Sequence, residues 1–188
     1  FGESMIIEIG TSNFATMAGK RDGLFIEPVK PYFDSLPKCR KENVAVSNFE
    51  GEVDMYYMNP DDVDALNLPK WLKGCNMMGE PHPTMVDVLR REYGSIGPIK
   101  CHKIKVVRIK SLLKKHNIEK IQYLKIDTEG HDCTILNDYL DTVGILPKII
   151  QFENNQLSDQ KEIEAITERL TKLGYKMKYS NGDIICRL

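Results

Sequence analysis

The chain has almost no net charge. Its 188 residues carry 27 Asp and Glu against 26 Lys and Arg, a formal charge of −1. No overall basic field therefore draws nucleic acid or an anionic membrane. Long apolar runs are missing as well. None approaches the about 18 residues that a helical membrane span needs. The five cysteines, Cys39, Cys75, Cys101, Cys133 and Cys186, are odd in number, widely spaced and without a C-x-x-C. That argues against a disulfide framework or a zinc site and predicts reduced thiols, hence a cytoplasmic protein. No signal peptide is visible ahead of the first strand. The abrupt start is equally what the cut edge of a longer polypeptide looks like, so neighbouring domains are an open alternative.

What is present reads as one domain with a core of its own. The composition is 41% hydrophobic and 28% charged, ordinary for a folded chain of this length. Short apolar runs, "SMIIEIG", "GLFIEP", "ENVAVS", "IQYLKID" and "PKIIQFEN", predict strands buried on both faces, as in a parallel sheet. "GEVDMYYM" alternates and predicts an edge strand. Between the runs lie helical patterns: "YFDSLPKCR", "PTMVDVLRREYG", "SLLKKHN" and "SDQKEIEAITERLTKLG". In the last, Ile163, Ile166, Leu170 and Leu173 recur at helical spacing, with Ser158 or Asp159 to cap the start and Gly174 to end it. The alternation predicts an α/β fold with a mostly parallel sheet. "YKMKYSNGDIICRL" predicts a terminal antiparallel hairpin, because Asn181-Gly182 suits a turn needing positive φ. Residues 60–103 fit the alternation least and read as a partly helical excursion, a candidate lid or substrate platform.

The chemistry-bearing residues cluster at strand ends, where open α/β sheets bind ligands. "IIEIGTSNF" ends the first strand in a single glycine, Gly10. G-x-G-x-x-G is absent, which disfavours a pyrophosphate cradle and favours a smaller, phosphate-free ligand. Glu27 closes the second strand, placed to accept both hydroxyls of a ribose. Asn43, Val44 and Ala45 lie where a purine would rest. The fourth turn is the most crowded: Asp127, Glu129, His131 and Asp132 stand within six residues. Asp127 and Thr128 capping the next helix is the plain structural account. It leaves His131 unexplained, since a protonated imidazole is unfavourable at a helix N-terminus. The fifth strand ends in Glu153, Asn154 and Asn155. Asp127, Glu153 and Asn154 together would offer hard oxygen donors suited to Mg²⁺ or Mn²⁺. Without a metal, the carboxylates would orient a hydroxyl.

In these residues the sequence resembles the FkbM family of S-adenosylmethionine-dependent methyltransferases, over nearly the whole chain and in order. "IIEIGTSNF" corresponds to the family's Asp-x-Gly-Ala-Asn-x-Gly motif, with Thr11, Ser12 and Phe14 as departures. "LFIEP" matches the acidic second strand. "KIDTEGHD" matches the most distinctive run, Lys-Ile-Asp-x-Glu-Gly. "IIQFEN" and "LGYKM" match the fifth strand and the approach to the last hairpin. The resemblance implies a Rossmann-like class I fold with seven strands, the last antiparallel, in a single domain over residues 1–188. It implies an O-methyltransferase acting on a hydroxyl, with a sugar or glycan as the expected acceptor and no nucleic-acid partner. Glu8, Gly10, Thr11, Asn13, Glu27, Pro28, Asn43, Ala45 and Asp127 are the expected cofactor contacts. His131 is the first choice of base, with Asp127 or Glu129 as the alternative. Trp71, Met77, Met78 and His82 would supply the acceptor pocket. A metal held by carboxylates with a nearby His as base occurs in some sugar O-methyltransferases of related fold, and Asp127, His131, Glu153 and Asn154 look similar to that arrangement, with Asp127, Glu153 and Asn154 as the metal ligands. The rival readings are a nicotinamide-dependent oxidoreductase and an inactive binding domain of the same fold. A nucleic-acid methyltransferase is disfavoured, because "NPDD" at Asn59 is not an Asn/Asp-Pro-Pro-aromatic motif.

Overall fold

The computed structural model describes residues 5–12 and 16–188. The β-branched and aliphatic runs form the centre of a seven-stranded sheet of order β10-β11-β9-β8-β1-β2-β3. Its strands are β1 (Met5–Ile9), β2 (Gly23–Ile26), β3 (Arg40–Glu42), β8 (Ile121–Ile126), β9 (Ile149–Glu153), β10 (Lys176–Ser180) and β11 (Asp183–Arg187). The first five pair in parallel. β10 and β11 run antiparallel, joined at Asn181 and Gly182, both with positive φ. Mixed α/β architecture with a mostly parallel sheet therefore holds. One face of the sheet is apolar. Ile7, Ile9, Leu124, Ile126, Ile150 and Phe152 pack beneath α4 (Ile109–Lys115), α5 (Asp132–Thr142) and α6 (Gln160–Lys172). α6 starts at Asp159, whose carboxylate accepts the Lys161 and Glu162 N–H groups, and buries Ile163, Ile166 and Leu170. Each such side chain contributes roughly 1.5–3 kcal/mol of burial.

Three strands differ from the sequence-based expectation. "ENVAVS" is not one strand. After β3 the Asn43 side-chain amide donates to the Glu27 and Pro28 carbonyls, the chain leaves the sheet, and β4 (Ala45–Val46) joins a second sheet. "GEVDMYYM" is not an edge strand. As β5 (Gly51–Tyr57) it lies between β6 (Met77–Met78) and β7 (Lys100–Val107) in that four-stranded sheet, order β4-β7-β5-β6. β7 itself is unforeseen, because "KCHKIKVV" is mostly solvent-facing and shows little hydrophobic period. α1 (Lys30–Ser35) follows β2, and residues 60–103 carry α2 (Pro60–Ala65), a 3-10 turn (Lys70–Gly74), β6 and α3 (Pro83–Val88), which runs on as a π turn to Tyr93. They have a small core of their own, in which Met58, Val63, Leu72, Met85 and Leu89 are fully buried.

The order of strands reverses direction between β1 and β8: the chain proceeds from β1 outward to β2 and β3, and from β8 outward to β9 on the other side. The crevice beyond their carboxyl ends is where an open α/β sheet binds ligand. Gly10 and Asp127 stand at that point.

Candidate active site

A cavity of about 380 Å³ opens over this crevice. Its floor is the strand ends: Ile9 to Ser12 after β1, Ile26 to Pro28 after β2, Asp127 to Glu129 after β8, and Glu153 ending β9. Val44, Ala45 and Val46 form an apolar side, and Trp71, Asn76, Met78 and His82 close the cavity from the 60–103 segment. The two central turns touch. Asp127 N–H donates to the Ile9 carbonyl at 3.0 Å. A Cβ on Gly10, whose φ is +79°, would lie 1.8 Å from the Asp127 carbonyl oxygen. Gly10 is thus required by the protein's own backbone before any ligand is considered.

Glu27 is buried among backbone donors. One carboxylate oxygen accepts the Val29 N–H at 2.8 Å; the other accepts the Ser12 N–H at 2.7 Å and the Thr11 hydroxyl at 3.4 Å. Burial pushes its carboxyl up to about 7, against the pull of those bonds. Ser12, at φ 49°, is one of two non-glycine residues on the cavity wall in the left-handed region; Glu129, at φ 53°, is the other. Left-handed non-glycine residues are uncommon and concentrate at functional sites. Ser12 Oγ and Asn76 Oδ1, both on the wall, are buried with no hydrogen-bond partner among the described residues.

The acidic end is held by its surroundings. Asp127, Glu129 and Glu153 bring carboxylate oxygens within 4.8 Å of one another. Lys125 lies 3.2 Å from Asp127 Oδ2 and 3.2 Å from the fully buried Glu8. Burial opposes its charge, yet Asp127 and Glu8 raise the ammonium above its ordinary value. Glu153 accepts the Glu129 N–H at 3.2 Å. Burial first, then the charges of Asp127 and Glu129, push its carboxyl up to about 9. Asp132 takes the Thr128 N–H and hydroxyl on one oxygen and the Glu153 N–H at 2.8 Å on the other; burial lifts it to about 6. His82, 4% exposed, accepts the Thr84 N–H on Nδ1, which puts the proton of the neutral ring on Nε2. That nitrogen lies 3.3 Å from Glu129 Oε2.

Of the expected site residues, Gly10, Thr11, Glu27, Pro28, Ala45, Asp127, Glu129 and Glu153 line the one cavity. Four others sit elsewhere. Glu8 faces away beneath β1, bonded to Thr16, Met17 and Lys125. Asn43 braces the second turn. Asn154 accepts Gln160 Nε2 at 3.1 Å, off the cavity wall, and Glu129 takes the third place among the clustered carboxylates. His131 is the N-cap residue of α5, just outside the helix, and turns to Ser47 Oγ at 2.9 Å, with burial lowering its pKa. The consecutive positive φ angles of Glu129 and Gly130 aim Glu129 into the cavity and His131 out of it. Asn13 lies outside the described residues. Trp71, Met78 and His82 line the wall and Met77 does not. Ser12, Asn76, Thr84 and Gln156 are wall residues that nothing in the sequence assigned to it. Ser12 lies in the "IIEIGTSNF" motif and Asn76 and Thr84 in the 60–103 excursion, but no local pattern singled out these side chains.

No curated protein and no solved structure matches the chain. A family model does, that of the Methyltransferase FkbM domain, over residues 7–177. The matched span takes in every strand end that floors the cavity, from Ile9 to Glu153, along with the segment that roofs it. The chain belongs to the FkbM methyltransferase family.

Proposed function

We propose that the protein moves a methyl group from S-adenosylmethionine to a hydroxyl of a sugar or glycan. The observation that carries this reading is the meeting of Gly10, Glu27 and Asp127, from three separate strand ends, on one cavity within the family-matched span. The walls suit the cofactor: Ser12 Oγ and Asn76 Oδ1 are buried there without partners among the described residues, and a ligand rich in hydroxyl and amine groups would satisfy both. Ser12, Thr11 and Glu27 would hold the ribose, and Ala45 with Val44 and Val46 the adenine. Bound there, S-adenosylmethionine supplies an electrophilic methyl. The chain's own part is to align the acceptor oxygen and take its proton.

With His131 facing away, the base is Glu129. Its Oε2 faces the buried His82 Nε2–H, which offsets charge on the carboxylate, while Asp127 leans on Lys125 and orients the hydroxyl. Glu153, raised to about 9 by burial and the neighbouring carboxylates, favours its protonated form when no cation is bound, while one of its oxygens still accepts the Glu129 N–H. The 60–103 segment closes over this end as a substrate wall, Trp71 giving the sugar an apolar face. Asp127, Glu129 and Glu153 also fit Mg²⁺ or Mn²⁺ as hard oxygen donors; an ion there would lower the hydroxyl pKa and fix its position. The test is calorimetric titration with S-adenosylhomocysteine, followed by labelled methyl transfer to a panel of sugars. Binding at micromolar affinity and transfer lost in Asp127→Ala, with the fold kept, is the expected result. Tight NADH binding without S-adenosylhomocysteine binding would overturn it.

A further inference from the structure

Lys125 is the one lysine or arginine in ion-pair contact with a cavity-lining carboxylate among the described residues. Its position is unusual. On β8 it stands directly across from Glu8 of β1, and its side chain is 12% exposed. Nζ reaches Glu8 Oε1 on one side and Asp127 Oδ2 on the other, each at 3.2 Å. Glu8 is wholly buried, and its second oxygen accepts the Thr16 hydroxyl and the Met17 N–H, both at 2.9 Å. Thr16 and Met17 belong to the stretch that follows β1. A continuous polar chain therefore runs from that stretch, through Glu8 and Lys125, to the Asp127 carboxylate.

A buried carboxylate needs a cation, so Lys125 has a structural reason to exist. That reason accounts for Nζ meeting Glu8. It does not account for Nζ lying equally close to Asp127, whose side chain is 37% exposed and available to water. We infer that Lys125 is a positioning residue: anchored by Glu8, it fixes the Asp127 carboxylate relative to the loop after β1, so that one ion-pair chain sets both sides of the cofactor's methionine end. The inference rests on the cofactor site proposed above.

The two roles separate in a double variant. Lys125→Met alone strips the cation from buried Glu8 and should lower the melting temperature by roughly 10 °C. Glu8→Gln with Lys125→Met removes the buried charge together with its partner and should melt near the wild type. Asp127 stays unanchored in both. S-adenosylhomocysteine affinity, read by calorimetry, should fall about tenfold or more in the double variant although its stability has recovered, as expected for a lost charge-assisted contact. Affinity within twofold of wild type in the stable double variant overturns the inference and leaves Lys125 a structural partner of Glu8. A double variant that does not fold overturns it too, because its premise is that the pair is dispensable to the fold. Wild-type protein that fails to bind S-adenosylhomocysteine is a separate outcome: it refutes the cofactor site, and the role of Lys125 falls with it.

Discussion

Along one wall of the cavity Gly10, Glu27 and Asp127 sit at the carboxyl ends of parallel strands. Along the other, Trp71, Asn76 and His82 ride on a 3-10 turn, a loop and the start of a six-residue helix. The first wall is held by the sheet's own ladder and by close backbone contact. The second is held by a satellite core around Leu72 and Met85, and it meets the first through few polar contacts, His82 with Glu129 and Gln156 with Thr84. A rigid floor fixing the invariant part of a reaction and a more loosely tied roof selecting the acceptor is a workable division of labour. It also predicts that substitutions on the two walls will differ in size and in kind.

The largest effect belongs to the floor. Gly10→Ala must place a methyl 1.8 Å from the Asp127 carbonyl oxygen at a φ of +79°. Both turns would have to move, and backbone on both sides leaves nothing flexible to yield. A loss of about 3–5 kcal/mol in urea denaturation is expected. A loss below about 1 kcal/mol would show that the turns are not locked together and would erase the contrast between walls.

Next comes ligand binding. Glu27→Ala should weaken S-adenosylhomocysteine binding by about 100-fold, as loss of a buried charge-assisted acceptor does. The same titration on Asn76→Ala should shift the affinity by about tenfold at most, since only one neutral acceptor is lost. Equal losses would mean that the roof holds the cofactor as firmly as the floor.

This contrast also decided what the sequence could tell. Strand ends are readable because a β-branched run stops at a glycine or an acid, and Gly10, Glu27 and Asp127 stood out for that reason. α6 was readable from its period and its Asp159 cap. The direction of a side chain within a turn was not. Glu129 and His131 are two residues apart, and only the left-handed φ of Glu129 and Gly130 decides which enters the cavity. Nor was the pairing of His82 with Glu129, which joins residues far apart in sequence through a segment with no hydrophobic period. The second sheet escaped notice because β7 is polar on most of its length and β6 has two residues. The resemblance to the FkbM family survived these gaps, because all its motifs but "LGYKM" reach the floor.

The crowding of carboxylates at the floor has a signature in pH. Unfolded, Glu153 loses its proton near the ordinary value of 4.5; folded, it keeps it up to about 9. Between those values the folded state binds more protons, so stability falls as pH rises from about 4.5 to about 9 and levels off beyond. Glu27 and Asp132, raised to about 7 and about 6, act in the same direction over narrower windows. Glu153→Gln should equal the wild type near pH 4.5 and exceed it by about 3–5 kcal/mol at pH 8. Parallel stability curves for the two proteins would sink the idea that Glu153 is protonated in the fold. Divalent ions give a second handle: Mn²⁺ held at this cluster would flatten the wild-type curve and leave that of the variant unchanged.

The smallest effect is expected where the roof is most exposed. Trp71 is 47% exposed in the free protein although it borders the cavity, and it is not part of either large apolar cluster. Removing it leaves no cavity in a core and no unpaired polar group. Trp71→Ala should therefore change unfolding free energy by no more than about 0.5 kcal/mol. S-adenosylhomocysteine affinity should stay within about twofold, because the cofactor contacts proposed above do not include Trp71. What the variant should lose is acceptor saturation: a higher KM for the methyl acceptor with kcat nearly kept, the mark of binding shared equally by ground and transition states. A melting shift of many degrees would instead make Trp71 a structural part of the roof, and the distinction between a fixed floor and a selecting roof would have to be redrawn around it.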